Sequence, residues 1–566
     1  MRVTAALMEA LPSLSATPVH AGARRAIVGL LLAALPVFLL FLGANSIWDA
    51  NEAFYVETPR QMLLRGDYVT PVFNDAPRLN KPVLSYWIVA GLYHALGVSV
   101  TTERLGIGLG ALGILLATFM VGRALRSTTT GLVAALLLAT SPRFVMFARR
   151  IFIDIYITLF MSIALAGFVL AVRHPEHRRR YLLLMYVAIG LGVLTKGPIA
   201  VVIPVVVGAL WCWRERRWPD ARRWMIGPGL LVMIAIVAPW YALLVNTHGW
   251  TPLTSFVIGE NLERYTNSMV PGDRPIWYYV QELLADLFLP WAPLLVVPLL
   301  TAWRRSGGGE TSTHHAIRHL LWLWVVVFVG VFSLSQTKQD LYILPVAPAA
   351  AVLIADVLLS TRFTDGHRVL RVIVGLVGAL CVICAPLMFW LFGSGYYVLP
   401  GIRLASLLLA AGGCGVIVAV LRHRGAAAVF VLAGTFVVFN YLFVVRILPG
   451  MERLKPVVPI AQLFAARAGA SAQLGSYHLM LPSLVYYAGR PVRILDSEAQ
   501  AVEFYADARG GWAMMSDTEL RELQRVVPGL CVAARRPMFD AKLRDVLDRR
   551  PPADVLLVTN RCTPSP

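Results

Sequence analysis

The chain has 566 residues, of which 58% are hydrophobic and only 15% are charged, and its mean hydropathy is +0.67. So few charges exclude an ordinary soluble protein of this length. The formal net charge of +19 does not indicate nucleic-acid binding, because the basic residues lie in short loops between apolar segments. Since apolar runs of membrane-crossing length recur along the chain, the sequence predicts a polytopic helical protein surrounded by membrane lipids.

The first apolar run covers residues 26–43 and follows Arg24 and Arg25. It has no convincing small-residue cleavage site, so it is interpreted as a retained first helix and not as a signal peptide. The two arginines place its start in the cytoplasm. The loop that follows, residues 45–100, is therefore predicted on the outer face of the membrane.

That loop contains an unusual polar stretch at residues 49–87, with carboxylates, tyrosines, a lysine and turn-forming residues. Clustered ionisable groups beside a bilayer are costly and are usually functional. Asp49 and Glu52 are three residues apart, so one helical turn would place both carboxylates on the same side. The stretch is interpreted as one wall of an active site.

Arginine-rich loops alternate with loops that carry other ionisable groups through the rest of the apolar region. Apolar segments follow at about 104–122, 130–147, 155–172, 180–194, 197–213, 225–246, 285–303, 317–334, 342–359, 369–392, 402–421 and 426–446. Counting the apolar run 83–97 as a further crossing would move every later arginine loop outside. The arginines thus predict that 83–97 lies along the outer interface, with about thirteen crossings in the catalytic region 1–451.

From residue 452 the composition changes, and the segment 452–566 is predicted to form a small α/β domain outside the membrane. Strands are predicted at 473–481, 491–495 and 553–559, and helices at 497–509 and 517–527. Ser516 or Asp517 is the expected N-cap of the last helix. Pairing of Cys531 with Cys562 is left open, because spacing does not determine disulfide geometry.

The unusual ionisable residues of the apolar region map to one predicted face. They include Asp49, Glu52, Lys81, Asp154, Lys196, Arg264, Lys338 and Tyr342. Carboxylates beside several cations are suited to displacing a lipid-linked phosphate by an acceptor, since the cations hold the leaving phosphate. Two structural alternatives remain: outer lysines that only reach the headgroups, and an ion pair of Asp154 with Arg149 or Arg150.

A transporter is the alternative from another functional class. Transporters place ionisable residues near the bilayer midplane and commonly contain internal repeats. Here the charges gather on one face and no repeat is evident, which disfavours transport. A purely structural scaffold would leave the outer carboxylates unexplained.

Five motifs occur together and in order. They are Asp49-x-x-Glu52-x-x-Tyr55, Gly66-Asp67, Asn80-Lys81-Pro82-x-Leu84-x-Tyr86-Trp87, Leu194-Thr-Lys196-Gly-Pro198 and Lys338-x-x-x-Tyr342-Ile-Leu-Pro345. The ordered set resembles the bacterial lipid A aminoarabinose transferases, which belong to the GT-C glycosyltransferases that include protein O-mannosyltransferases. The resemblance covers roughly residues 40–350.

The resemblance implies a GT-C fold and an inverting transfer of aminoarabinose, or another aminosugar such as glucosamine, from undecaprenyl phosphate to lipid A phosphate. It implies a monomer in the bacterial inner membrane, with the active site and the C-terminal domain in the periplasm. A protein or another envelope glycan is the alternative acceptor. The expected catalytic residues are Asp49, Asp154 and Glu52, and the expected substrate-binding residues are Lys81, Arg264, Tyr55, Tyr342, Tyr86, Lys196 and Lys338.

Two positions depart from the family pattern. Family members commonly have Glu before the lysine, and His in a Glu-His-x-x-Arg motif, and this pair is associated with a metal. Here the positions are Asn80 and Asn261. Because neutral amides are poor ligands for zinc, no metal ligand is predicted from the chain. A divalent ion at the leaving phosphate is left open.

Overall fold

The computed structural model describes residues 21–49, 51–218, 223–267, 274–302, 312–359, 368–469, 471–479, 481–507, 509–539 and 543–561. Within these ranges, the side chains of Asn261 and Arg264 are not described. Cys562 also lies outside the described residues, so its pairing with Cys531 stays open. Cys531 is disulfide-bonded.

Helices dominate the described chain. The longer ones are α1 Ala21–Ala34, α2 Asn51–Arg65, α3 Leu84–Leu96, α4 Val100–Leu125, α5 Thr128–Ala139, α6 Ile153–Arg173, α7 Arg178–Lys196, α8 Ile199–Arg214, α9 Ile226–His248, α10 Ser312–Ser333, α11 Ala347–Leu358, α12 Arg368–Phe392, α13 Ile402–Leu421, α14 Gly425–Leu442 and α15 Val457–Arg467. Among the described residues, eight helices are long and apolar enough to cross a membrane. The polytopic helical fold is confirmed, while the count of about thirteen crossings stays a prediction.

Polar contacts join distant elements at two places in the bundle. At the end of the bundle near the arginine-rich loops, the Asp356 carboxylate lies 2.5 Å from Arg126 Nε and 3.2 Å from His314 Nε2. At the other end, Trp240 Nε1 in α9 donates a hydrogen bond to the Val69 carbonyl at 3.1 Å. The assignment of the loops to the two faces of the membrane stays a prediction.

The loop between α1 and α4 is structured. It contains α2, a two-stranded hairpin of β1 Val72–Phe73 and β2 Ala76–Pro77, and α3. Buried Tyr55, Tyr86 and Tyr93 join α2 and α3 in one apolar cluster. Gly97 ends α3 with a φ of +85°, a conformation that glycine adopts at little cost. The predicted interfacial position of 83–97 stays a prediction.

The C-terminal domain is a mixed five-stranded sheet with helices, which confirms the small α/β domain. Its strands are β3 Gln473–Tyr477, β4 Arg493–Leu495, β5 Gly511–Ser516, β6 Cys531–Met538 and β7 Ala553–Thr559, in the order β4-β3-β5-β7-β6. Its helices are α16 Ser483–Ala488, α17 Glu498–Ala506, α18 Asp517–Leu523 and a short helix at Leu543–Leu547. Ser516 is the N-cap of α18 and forms a capping box with Glu519.

Sequence analysis missed two strands of this sheet for different reasons. The central strand β5 is buried along nearly its whole length, so it shows no alternation of polar and apolar residues. The edge strand β6 contains Pro537 and a register shift between Val532 and Ala534. Proline and irregular register are features of edge strands that hide the strand pattern.

Candidate active site

Asp154, Lys196 and Tyr342 meet at one end of the helical bundle. Lys196 Nζ forms an ion pair with Asp154 Oδ1 and lies 4.6 Å from the centroid of the Tyr342 ring. The three side chains line a narrow cavity whose other walls are apolar, formed by residues that include Phe328 and Phe332. A cation held between a carboxylate and an aromatic face, in apolar surroundings, is suited to binding an anion.

Local structure explains why these two charges lie at helix ends. Asp154 is in the first turn of α6, and Lys196 is in the last turn of α7. Both positions are electrostatically favourable, because the N-terminus of a helix carries partial positive charge and the C-terminus partial negative charge. Gly197, with a φ of +97°, ends α7 directly after the lysine.

The alternative ion pair of Asp154 with a neighbouring arginine is not what the structure shows. Arg149 donates to the backbone carbonyls of Val37 at 2.6 Å and Phe41 at 3.0 Å. Arg150 Nε lies 3.1 Å from Glu52 Oε1. Both arginines thus fasten the segment after α1 to the start of α6, and Asp154 pairs with Lys196.

A second group, from α2 and α3, lies close by. Tyr55 and Tyr86 are buried and stacked, with ring centroids 5.7 Å apart and an interplanar angle of 25°. Burial, together with the neighbouring Tyr86 and the negative charges of Asp154 and Glu260, raises the pKa of Tyr55 well above its usual value. The phenol therefore stays neutral and able to donate a hydrogen bond.

Lys81 is engaged by a carboxylate from another part of the chain. Its Nζ lies 2.5 Å from Glu260 Oε2, and both side chains are mostly buried. Glu260 belongs to the π-helix Ser255–Glu263, which precedes the short helix Arg264–Thr266. The predicted phosphate-binding lysine is thus paired with an internal anion beside Tyr55.

Asp49 and Glu52 have different surroundings. Asp49 Oδ1 accepts a hydrogen bond from the backbone N–H of Ser483, the first residue of α16, at 2.8 Å. Glu52 is fully buried; its Oε2 accepts the Trp48 N–H at 2.9 Å and lies 3.5 Å from Arg104 Nη2. Arg150 pairs with the other oxygen of Glu52, so Glu52 stabilises the loop. Asp49, in contrast, is bound to the C-terminal domain.

Lys338 and Arg264 are the two remaining predicted substrate-binding residues. Lys338 Nζ donates to the Ser335 carbonyl at 2.6 Å and is 5% exposed, so it stabilises its own loop. Arg274 reinforces that loop by donating to the Lys338 carbonyl at 2.9 Å. Arg264 begins a short helix next to Glu260, and its side chain is not described. Their predicted substrate contacts stay predictions.

Sequence analysis missed Arg104, which is 1% exposed. It donates to the carbonyls of Leu42 at 2.9 Å, Asn45 at 2.6 Å and Ser46 at 3.0 Å, and so fastens the segment that precedes Asp49. A signal was present, because an arginine in the first turns of an apolar helix is unfavourable without partners.

The described side chains do not form a metal site at the position that the motif resemblance implies. No group of three or more His, Cys, Asp or Glu side chains in the described part of the chain could hold an ion. Asn80 Oδ1 is buried without a hydrogen-bond partner among the described residues. A lone amide oxygen is a poor zinc ligand, so the donor set does not fit zinc.

Comparisons with known proteins agree with the motif resemblance. Residues 26–253 match the sequence model of the dolichyl-phosphate-mannose-protein mannosyltransferase family. Curated relatives include the undecaprenyl phosphate-α-4-amino-4-deoxy-L-arabinose arabinosyl transferases of Erwinia tasmaniensis, 30% identical over 355 residues, and Pseudomonas aeruginosa strain PAO1, 32% identical over 358 residues. Each match covers 61% of this chain, and the chain spans about 62% of the length of these relatives.

A solved structure is similar over nearly the whole chain. The crystal structure of ArnT from Cupriavidus metallidurans bound to undecaprenyl phosphate superimposes with a TM-score of 0.77 at 20% identity. The match covers 95% of this chain and 98% of that one. The expected GT-C fold with a small C-terminal domain is therefore confirmed.

Proposed function

We propose that the protein is an inverting glycosyltransferase that moves an aminosugar from undecaprenyl phosphate to a phosphate group of lipid A. It works as a monomer in the bacterial inner membrane, and its site and C-terminal domain face the periplasm. The observation that carries the proposal is the meeting of Asp154, Lys196 and Tyr342 beside Tyr55, in a fold similar to a protein solved with undecaprenyl phosphate.

The donor side of the reaction needs cations for the phosphate that leaves. Lys81 and Lys196 are mostly buried, at 16% and 18% side-chain exposure, so their attraction for a phosphate is weakly screened by solvent. Each is paired with a carboxylate, Glu260 and Asp154 respectively. A donor phosphate would compete with these carboxylates for the ammonium groups. Arg264 is expected to add a third cation.

The bond changes balance without an external oxidant or base. An oxygen of the acceptor phosphate attacks C1 of the sugar from the face opposite the leaving group, and the bond from C1 to the donor phosphate oxygen breaks. Undecaprenyl phosphate leaves with the electron pair, stabilised by the lysines. Because the acceptor phosphate is already an anion, Asp49 and Asp154 are needed to orient it and the sugar rather than to remove a proton.

Mass spectrometry of lipid A from cells with and without the gene tests the acceptor and the sugar together. The expected result is an added aminosugar mass on lipid A only when the gene is present, lost in the Asp154→Asn variant. An unchanged lipid A spectrum would overturn the acceptor.

A protein acceptor is the second candidate, favoured by the match of residues 26–253 to the protein mannosyltransferase family. The same reaction on a serine or threonine would need a general base, because a hydroxyl is not ionised at neutral pH. Gene-dependent glycosylation of envelope proteins, with unchanged lipid A, would select this function.

A further inference from the structure

The C-terminal domain contacts the segment that carries Asp49 at three residues, Ser46, Ile47 and Asp49. The Ile47 N–H donates to the Tyr487 hydroxyl at 2.9 Å, and the Ser483 N–H donates to Asp49 Oδ1 at 2.8 Å. The Ser46 N–H donates to Glu452 Oε2 at 2.9 Å. Two of these hydrogen bonds pair the backbone N–H groups of the adjacent residues Ser46 and Ile47, and the third pairs the Asp49 carboxylate.

Lys455 strengthens the same attachment. Its Nζ donates to the Ser46 carbonyl at 2.6 Å, lies 3.7 Å from Glu452 and is 4.0 Å from the centroid of a Trp48 ring. The lysine is 8% exposed, so these contacts replace its hydration. Glu452 and Lys455 lie where the predicted C-terminal domain begins.

A second attachment lies on the hairpin between β1 and β2. The Asn74 side chain and the Val492 backbone exchange two hydrogen bonds of 2.8 Å, with Asn74 donating to the carbonyl and accepting from the N–H. Asn74 has a φ of +52°, and asparagine tolerates this region better than most residues. The domain therefore forms hydrogen bonds with the outer loop both before α2, at residues 46–49, and after α2, at Asn74.

Apolar packing also joins the C-terminal domain to the outer loop. Tyr487 packs against the cluster around Tyr55 and Tyr86 and also against the core of the C-terminal domain. Arg60 of α2 lies 5.3 Å from the ring centroid of Tyr486. Since one tyrosine belongs to both cores, movement of the domain would be transmitted to the site.

We infer that the C-terminal domain is a working part of the active site, in which Tyr487 is a positioning residue that sets the segment 46–49 and thereby the Asp49 carboxylate. The inference deepens the proposed function and rests on the role proposed there for Asp49. Glu52, Arg104 and Arg150 hold the segment from the membrane side, and the domain holds it from the opposite side. Without the domain contacts, the carboxylate loses its defined position.

The test is Tyr487→Phe in the full-length protein, which removes the hydroxyl acceptor of the Ile47 N–H and keeps the ring in both cores. Assays use undecaprenyl-phosphate aminoarabinose with lipid A, and binding of undecaprenyl phosphate is measured separately. The expected result is a kcat lowered about three- to tenfold with an unchanged Kd for undecaprenyl phosphate. Hydrogen exchange of the peptide 45–49 is expected to be faster than in the wild type.

The neighbouring Tyr486→Phe is the matched control, because its hydroxyl makes no hydrogen bond to the segment 46–49 among the described contacts, and wild-type kcat is expected. Wild-type kcat and unchanged hydrogen exchange in Tyr487→Phe would overturn the inference, as would a rise of the Kd in proportion to the loss of kcat.

Asp49→Asn separates the two proposals. If it keeps wild-type kcat, the role of Asp49 in the proposed function fails; if it is inactive while Tyr487→Phe is normal, only the positioning role fails.

Discussion

Asp154 and Asp49, the two carboxylates predicted to act in the site, are held in contrasting ways. Asp154 is held by a side chain, Lys196, and the two residues lie at the ends of the long helices α6 and α7. Asp49 lies in a loop and is held by a backbone N–H of the C-terminal domain. The contrast indicates that the membrane helices set one half of the site, while the other half depends on how two domains dock.

Loss of the Asp154 carboxylate is expected to have the largest effect. Asp154→Asn removes the partner of Lys196 and a charge directed at the cavity, so kcat should fall about a hundredfold or more. Transfer assays in detergent or liposomes measure this. Asp67→Asn is the control, because Asp67 accepts the Val69 and Thr70 N–H groups of a turn. An equal loss of kcat in the two variants would show that Asp154 acts as a structural residue, as Asp67 does, and not as part of the active site.

Loss of the Lys81 ammonium tests the donor side of the same region. Lys81→Ala should raise the Kd for undecaprenyl phosphate about 10- to 100-fold, because a charge-assisted hydrogen bond to phosphate is removed. Direct binding to the purified protein measures it. Arg65→Ala removes an exposed cation that pairs with Asp75 and should leave the Kd unchanged. An unaltered Kd in Lys81→Ala would refute the assigned role.

Neutralising Glu260 should act in the opposite direction and more weakly. Glu260 pairs with Lys81, so a donor phosphate has to replace it. Glu260→Gln should therefore lower the Kd for undecaprenyl phosphate about three- to tenfold. Glu263→Gln, on the same π-helix and exposed, is the matched control. Weaker binding by Glu260→Gln would mean that Glu260 orients Lys81 for the donor.

The smallest expected effect concerns pH and the interdomain contact. Burial lowers the pKa of Lys455 to about 8, below the usual value of about 10.4 for the unfolded chain. Between these values the unfolded state binds more protons, so folding becomes more favourable as pH rises, and the cost of the buried charge is fully present below about pH 8.

Thermal unfolding of the wild type and of Lys455→Met between about pH 7 and pH 10 checks this sign. The wild type should gain stability relative to the variant as pH rises. Arg453→Met is the control, because arginine stays charged over this range. A difference that is flat or reversed would show that the lysine is not desolvated at the interface.

Much of the fold could be predicted from the sequence because its signals are local. Apolar runs, loop arginines and the Ser516 cap each depend on a few neighbouring residues, and each corresponds to a described feature. The alternation of arginine-rich loops also placed Asp154, Lys196 and Tyr342 on one predicted face, and the structure shows the three side chains in contact.

The partners of these residues could not be predicted, because they come from distant parts of the chain. Nothing near Lys81 in sequence indicates that Glu260, 179 positions later, would pair with it. Arg150 adjoins the Asp154 motif but pairs with Glu52, since the segment after α1 folds back against α6.

By itself, the sequence determined a helical membrane protein with charged residues gathered on one face and a small α/β domain at the end. Hydrophobicity and loop charge are properties of single segments. The apolar length of a segment determines whether it crosses the bilayer, and the loop charges determine its orientation. Only the tertiary structure decided that Asp49 is bound by the C-terminal domain, 434 positions away in the chain. Such a contact depends on the shape and docking of two separate cores, and no local pattern encodes that.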